Sequence, residues 1–408
     1  MTSSWAGSIG SDDRQPVVVA AKRTPVGRAG GVLAAVDVGG LLSAVLADVV
    51  HTVGVDPAEV DDVIVGNAAG AGGNVARLAA LAAGLPIEVP GVTVDRQCGS
   101  GLEAVVLAAR LVAAGAGDLY LAGGVESVST APWRVEPPRR RGEMPRFYAR
   151  ARFAPDAIGD PDMGVAAENV AREFGITRER QDAFALQSHQ RAVAAMRAGR
   201  FEAEITPVDT PPGRVAADEC PRPDTSLRVL ARARPAFVEG GSVTAGNSCP
   251  LNDGAAIAVV TSRALARRLG CRRMLGFVDA AAAGVDPNLL GVGPIASTRK
   301  LLSRRPDLEL GTLEAIEFNE AFASQVLASL DALGIDSAAV NRDGGAIALG
   351  HPYGASGAIL VTRLFSQLVR EPVLSGTGRG LAMIGIAGGL GITAMFERVC
   401  DQQRCDRA

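Results

Sequence analysis

Short apolar runs stopped by charge, glycine or proline alternate along the chain with longer stretches whose apolar positions recur at helical spacing. PVVVAAKRTP at 16–25 has the first form, DVGGLLSAVLADVVHTVG at 37–54 the second, and VDDVIVGN at 60–67 the first again, which predicts strand, helix, strand. A helix-like VARLAALAAG, a strand PGVTVDRQ, the turn CGSG, the helix LEAVVLAARLVAAGAG and the strand DLYLAGG follow. That order predicts an α/β fold with a mostly parallel sheet.

The second half repeats this grammar. LEAIEFNEAFA matches VDDVIVGNAAG, the run NRDGGAIALGHPYGASGAILVTRLFSQL matches the strand, turn and helix around Cys98, and IAGGLGI at 386 echoes LAGGVES at 121. Spacing agrees, with Asn67 31 positions before Cys98 and Asn319 32 before His351. We read a duplicated half-domain, its two copies packed about a pseudo-twofold with their glycine turns facing one site. The first half covers 16–126 and 245–272, and the second 273–408. Between them, 127–244 changes character, from the proline- and arginine-rich APWRVEPPRRRGEMPRFYARARFAPD to the helical RERQDAFALQSHQRAVAAMRAGRF, and reads as an inserted loop domain. Residues 1–15 read as a loose leader.

With 408 residues, 48% of them hydrophobic, the chain can bury one large core or two of ordinary size. A net charge of -3 gives no support to nucleic-acid binding. The six cysteines form no CxxC pair, so neither a zinc site nor a disulfide framework is indicated, and the chain reads as reduced and cytoplasmic. The leader lacks a signal-peptide core, and no apolar stretch reads as a membrane span.

Candidate chemistry falls in the glycine turns. Cys98 precedes GSG and a long helix, a place that lowers a thiol pKa and offers free backbone N–H groups to an oxyanion; a buried structural cysteine is the alternative. His351 holds the equivalent point of the second half, which makes it a base for Cys98. His51 and His189 read as ordinary helix residues. Asn319 ends a strand, where open α/β sheets present polar groups to ligands, or it caps the following helix. Cys249 in the turn-rich VTAGNSCPLNDGAA reads first as a pocket wall, and otherwise as an inert thiol or a second acid–base group. No GxGxxG after a first strand, no GxxxxGKS and no HExxH occurs.

Taken together, KRTPVGRAGG, VDRQCGSGLEAV, LAGGVESVSTAPW, DMGVAAENVA, RPAFVEGGSVTAGNSCPLNDGAA, GPIASTRKLL, EFNEAFA and GGAIALGHPYGASG resemble the thiolase family of acetyl-CoA C-acyltransferases. The resemblance implies a five-layer α-β-α-β-α core, a loop domain covering coenzyme A, a homodimer or homotetramer, acyl-CoA thioesters as substrates and no covalently bound cofactor. It also implies that Cys98 takes up the acyl group and that His351 activates it. Asn319 would hold a water that joins His351 in one oxyanion hole, and the backbone N–H groups of Cys98 and Ala387 would form the second. Met163, Arg222, Phe237, Ala245 and Phe322 fall at positions lining the coenzyme A and acyl pocket. The departure is GIAGGLG, where the family usually reads CIGGGxG: Gly385 stands in place of the acid–base cysteine. A milder one puts Cys249 where the family has serine.

Three functions follow. The first is a thiolase-type enzyme that forms or cleaves 3-oxoacyl-CoA through a Cys98 acyl-enzyme, with His351, Cys249 or a water replacing the missing thiol. In the second, the same acyl-enzyme has an altered second half-reaction: hydrolysis, transfer to another acceptor, or decarboxylative condensation. The third is a non-catalytic protein that binds coenzyme A esters.

Overall fold

The computed structural model describes residues 12–70, 72–371 and 376–401. Its main sheet structure is built on β1 (Pro16–Arg23), β2 (Asp62–Gly66), β3 (Gly91–Val94), β4 (Leu119–Ser127), β5 (Asn252–Ser262), β6 (Arg273–Gly284), β7 (Ala315–Phe318), β8 (Arg379–Ile386) and β9 (Leu390–Cys400). They lie in the order β7-β8-β9-β6-β1-β5-β4-β2-β3. On one side of the centre β1 pairs antiparallel with β5, β5 antiparallel with β4, and β4 parallel with β2. On the other, β6 pairs antiparallel with β9, β9 antiparallel with β8, and β8 parallel with β7. The halves meet where Val17 and Val18 of β1 oppose Gly276 and Leu275 of β6. The repeat in the sequence is thus a repeat of strand order and direction.

The expectation of a mostly parallel sheet is corrected. Among these strands only β2 with β3, β2 with β4, and β7 with β8 run parallel. The cause is how each half closes. The long insertion returns the chain beside β4 as the antiparallel β5, and the short turn at 387–389 folds β9 straight back on β8.

Helices supply three layers: α1 (Val38–Val53), α2 (Val75–Ala82), α3 (Ser100–Ala114), α4 (Met163–Glu173), α5 (Arg178–Arg197), α6 (Gly293–Arg304), α7 (Ala323–Leu333) and α8 (Tyr353–Phe365). α1 and α2 cover the first half and share its core, while α6 and α7 do the same for the second. α3 and α8 pack on each other between the halves, within a core drawn from both. Every residue of α8 from Gly354 to Phe365 is buried, as a helix covered on all sides requires. The segment Gln97–Ala114 is long and apolar enough to cross a membrane, contrary to the reading from sequence. Here its helix serves as half of this central layer.

The inserted segment is fastened by buried charge. Arg23 of β1 donates to Glu204 at 2.8 Å and, through two nitrogens, to Asp218 at 2.7 and 2.9 Å. Arg363 of α8 donates to the other oxygen of Glu204 and to Asp343. Both guanidinium groups face the Phe201 ring, at 5.2 and 4.7 Å. Glu204 thereby joins the insertion to both halves. Glu204→Ala leaves two buried cations short of their partner, so a loss of about 3–5 kcal/mol is expected, read as a lower denaturation midpoint.

Asp13 pairs with Arg267 and Arg14 with Asp118, each at 2.7 Å. The loose leader read from sequence therefore does not extend to these residues; its remainder, 1–11, lies outside the described residues.

Candidate active site

Cys98 sits in the tight turn between β3 and α3. The Asp95 carboxylate accepts from Gln97 N–H at 2.6 Å, and the Ser100 hydroxyl donates to Gln97 O at 2.6 Å while accepting from Arg96 N–H at 2.8 Å. These bonds hold Gln97 at φ 47°, a left-handed conformation that a non-glycine residue adopts at a cost of roughly 1–3 kcal/mol. Gly99 packs against the end of β8, where a Cβ would lie 2.4 Å from Ile386 Cδ1. The turn therefore closes on the end of β8, and Ala387 just beyond that strand lines the same cavity as Cys98.

A helix N-terminus alone lowers a thiol pKa, but in the structure burial pushes Cys98 up to about 11. The nearby N–H groups of Ala387 and of Cys98 itself pull the other way without overcoming burial, and the charges of Glu126 and Asp95 add to the rise. The Glu126 carboxylate is pinned nearby by the N–H groups of Ala68, Ala69 and Gly354 and by the Asn67 amide, at 2.9 to 3.1 Å.

His351 lies just ahead of α8, and its backbone N–H donates to Asn252 at 2.8 Å. Its tautomer follows from its neighbours. The Ser356 hydroxyl donates to Pro352 O at 3.0 Å, so it accepts at 2.6 Å from Nδ1–H of the imidazole. Nε2 then carries the lone pair, toward which the Asn319 amide lies at 3.4 Å. Burial holds the His351 pKa down to about 3. The resting pair is a neutral thiol and a neutral imidazole, and among the described residues no hydrogen bond joins them.

Cys98, His351, Gly385, Ala387, Met163, Arg222, Phe237, Ala245, Cys249 and Phe322 all line one cavity of about 480 Å³. Asn319 does not line it, and its amide stands behind the cavity beside His351. The wall holding Cys249 is knitted to the second half: Cys249 N–H donates to Ala321 O at 3.0 Å, and Ala323 N–H to Asn247 O at 2.9 Å. Phe237 and Phe322 meet edge to face at 6.0 Å.

Two contributors escaped the sequence reading. Tyr353 lines the cavity and stands edge-on to the His351 ring at 5.2 Å; its place two residues after His351 is the only signal in the sequence. His189, read as an ordinary helix residue, accepts from Arg222 N–H at 3.2 Å through Nδ1, and so holds the segment that carries Arg222. Burial, then the Arg222 charge, lowers its pKa to about 4. A wider groove of about 840 Å³, walled by Trp133, Phe147 and Phe153, also opens onto Cys98.

Known proteins share this arrangement of halves. Residues 16–264 match the family model described as thiolase, N-terminal domain, and 272–398 match thiolase, C-terminal domain. The chain is 46% identical over 387 residues to VraB of Staphylococcus epidermidis, which carries the name acetyl-CoA C-acetyltransferase, covering 94% of this chain and 99% of that one. A Staphylococcus aureus protein of the same name is 44% identical over 386 residues, with the same coverage. The crystal structure of the Bacillus anthracis acetyl-CoA acetyltransferase superposes with a TM-score of 0.87 at 37% identity, covering 94% of this chain and 99% of that one.

Proposed function

Since the chain belongs to the thiolase family, whose members are acyltransferases, we propose that it forms or cleaves 3-oxoacyl-CoA through an acyl-enzyme on Cys98. One observation carries the proposal. Equivalent turns of the two halves bring Cys98 and His351 to a single cavity, which Ala387 also lines.

In this reading the Cys98 thiol gives its proton to Nε2 of His351 as the sulfur attacks the 3-oxo carbon. Backbone N–H groups of Cys98 and Ala387 stabilise one oxyanion, and His351 with a water held by Asn319 the other. Met163, Arg222, Phe237, Ala245, Cys249 and Phe322 hold the acyl and pantetheine parts of the substrate. The relatives' names support acetyl-CoA among the thioesters used. Incubation with acetoacetyl-CoA and longer 3-oxoacyl-CoAs plus free coenzyme A tests the proposal: thiolysis is expected, and its absence with every chain length overturns it.

Gly385 favours a second reading, in which the same acyl-enzyme passes its acyl group to water, to another acceptor, or to a carbanion made by decarboxylation. Offering water, amines and malonyl-CoA to the acylated enzyme separates the two. Release to one of these without thiolysis supports the second.

A further inference from the structure

Cleavage of a 3-oxoacyl thioester moves two protons. The first leaves Cys98 for His351. When the bond between carbons 2 and 3 breaks, its electron pair stays on carbon 2 as an enolate, and that carbon must take a proton from another group. The wall at Gly385 cannot furnish it. A Cβ built there would lie 2.7 Å from Gly291 O and 2.8 Å from Gly291 Cα, so the Gly291 backbone fills the space a side chain would need.

The titratable side chains lining the cavity are Cys98, Arg222, Cys249, His351 and Tyr353. Cys98 is the nucleophile, His351 is occupied by its proton, and an arginine stays charged throughout. That leaves Cys249 and Tyr353, and a thiol is intrinsically the stronger acid of the two. Cys249 stands on a fixed backbone, tied to Ala321 at 3.0 Å, and among the described residues no other side chain is hydrogen-bonded to its sulfur. We propose that Cys249 is the acid–base group for carbon 2, acting from the wall of the cavity that Gly385 also lines. This rests on the acyl-enzyme reading above.

The protons balance over one turnover. Cys249–SH protonates the enolate carbon, and the shortened thioester leaves. Cys249–S⁻ then takes the proton of the incoming coenzyme A thiol, whose sulfur attacks the acyl carbon on Cys98. The released Cys98 sulfur recovers its proton from His351. Burial raises the Cys249 pKa, so the group begins the cycle protonated. A thioester α-C–H is a far weaker acid than any thiol, so the transfer to carbon runs downhill.

The test follows exchange of the acetyl-CoA methyl hydrogens with D₂O by mass spectrometry, alongside acylation of Cys98, in the full-length parent, Cys249→Ala, Cys249→Ser, Tyr353→Phe and Gly385→Cys. In both Cys249 variants, exchange and thiolysis are expected to fall by roughly 10²- to 10⁴-fold while Cys98 still acylates. Gly385→Cys is expected to gain no exchange and to melt at a lower temperature, since Gly291 must move. Exchange retained in Cys249→Ala, or abolished only in Tyr353→Phe, overturns the proposal while leaving the acyl-enzyme intact. A parent that never acylates Cys98 overturns the underlying reading, and the proposal with it.

Discussion

Cys98→Ala is expected to lower thiolysis of acetoacetyl-CoA by roughly 10⁴- to 10⁶-fold, since no other group can carry the acyl chain between the two half-reactions. The loss should fall on kcat. The cavity walls that hold the substrate, among them Met163, Phe237 and Phe322, do not depend on the thiol, so KM for the 3-oxoacyl-CoA should change little. Stability should also hold, because Cys98 is half-buried and the bonds that shape its turn come from Asp95 and Ser100. Steady-state kinetics and a melting curve check both points. An unchanged kcat would remove Cys98 from the reaction.

His351→Gln is expected to lower kcat by roughly 10²- to 10⁴-fold, the usual contribution of a positioned base. Its pH behaviour is distinctive. The folded pKa, held to about 3 by burial, lies well below the ordinary value of about 6.5. The imidazole is therefore neutral through the working range, and kcat/KM of the parent should show no inflection near pH 6.5. The same shift has a consequence for stability. A folded pKa below the unfolded one gives stabilisation that is full above about pH 6.5 and is lost as pH falls toward 3. His189, lowered to about 4, acts in the same window. His351→Gln should thus flatten the acid side of the stability profile only in part, leaving the share due to His189. A clear kcat/KM inflection near 6.5 would contradict the buried, neutral imidazole.

Much of this site was legible in the sequence because of the repeat. Cys98 and His351 occupy matching turns, and matching turns of a duplicated fold meet at the pseudo-twofold, so their convergence followed from pattern alone. Strand direction was harder. Parallel and antiparallel strands share the same apolar signature, and only the tight turn at 387–389 and the return of the insertion decide it. The Cys98 pKa was misread because a helix N-terminus is visible in sequence, whereas burial, which prevails here, is a property of the assembled halves. The role of His189 was hidden because its partner is a backbone N–H thirty-three residues away. Sequence also presented Gly385 as a simple absence. The structure adds that Gly291 occupies the space beside it, so restoring a side chain means displacing backbone.

The acyl-enzyme on Cys98 is tested most directly by rapid quench of the protein with acetoacetyl-CoA, followed by intact-mass and peptide mass spectrometry. An acetyl group is expected on the peptide containing Cys98, disappearing when free coenzyme A is added and never forming in Cys98→Ala. Turnover with Cys98 unmodified, or with the acetyl group on Cys249 instead, would contradict it.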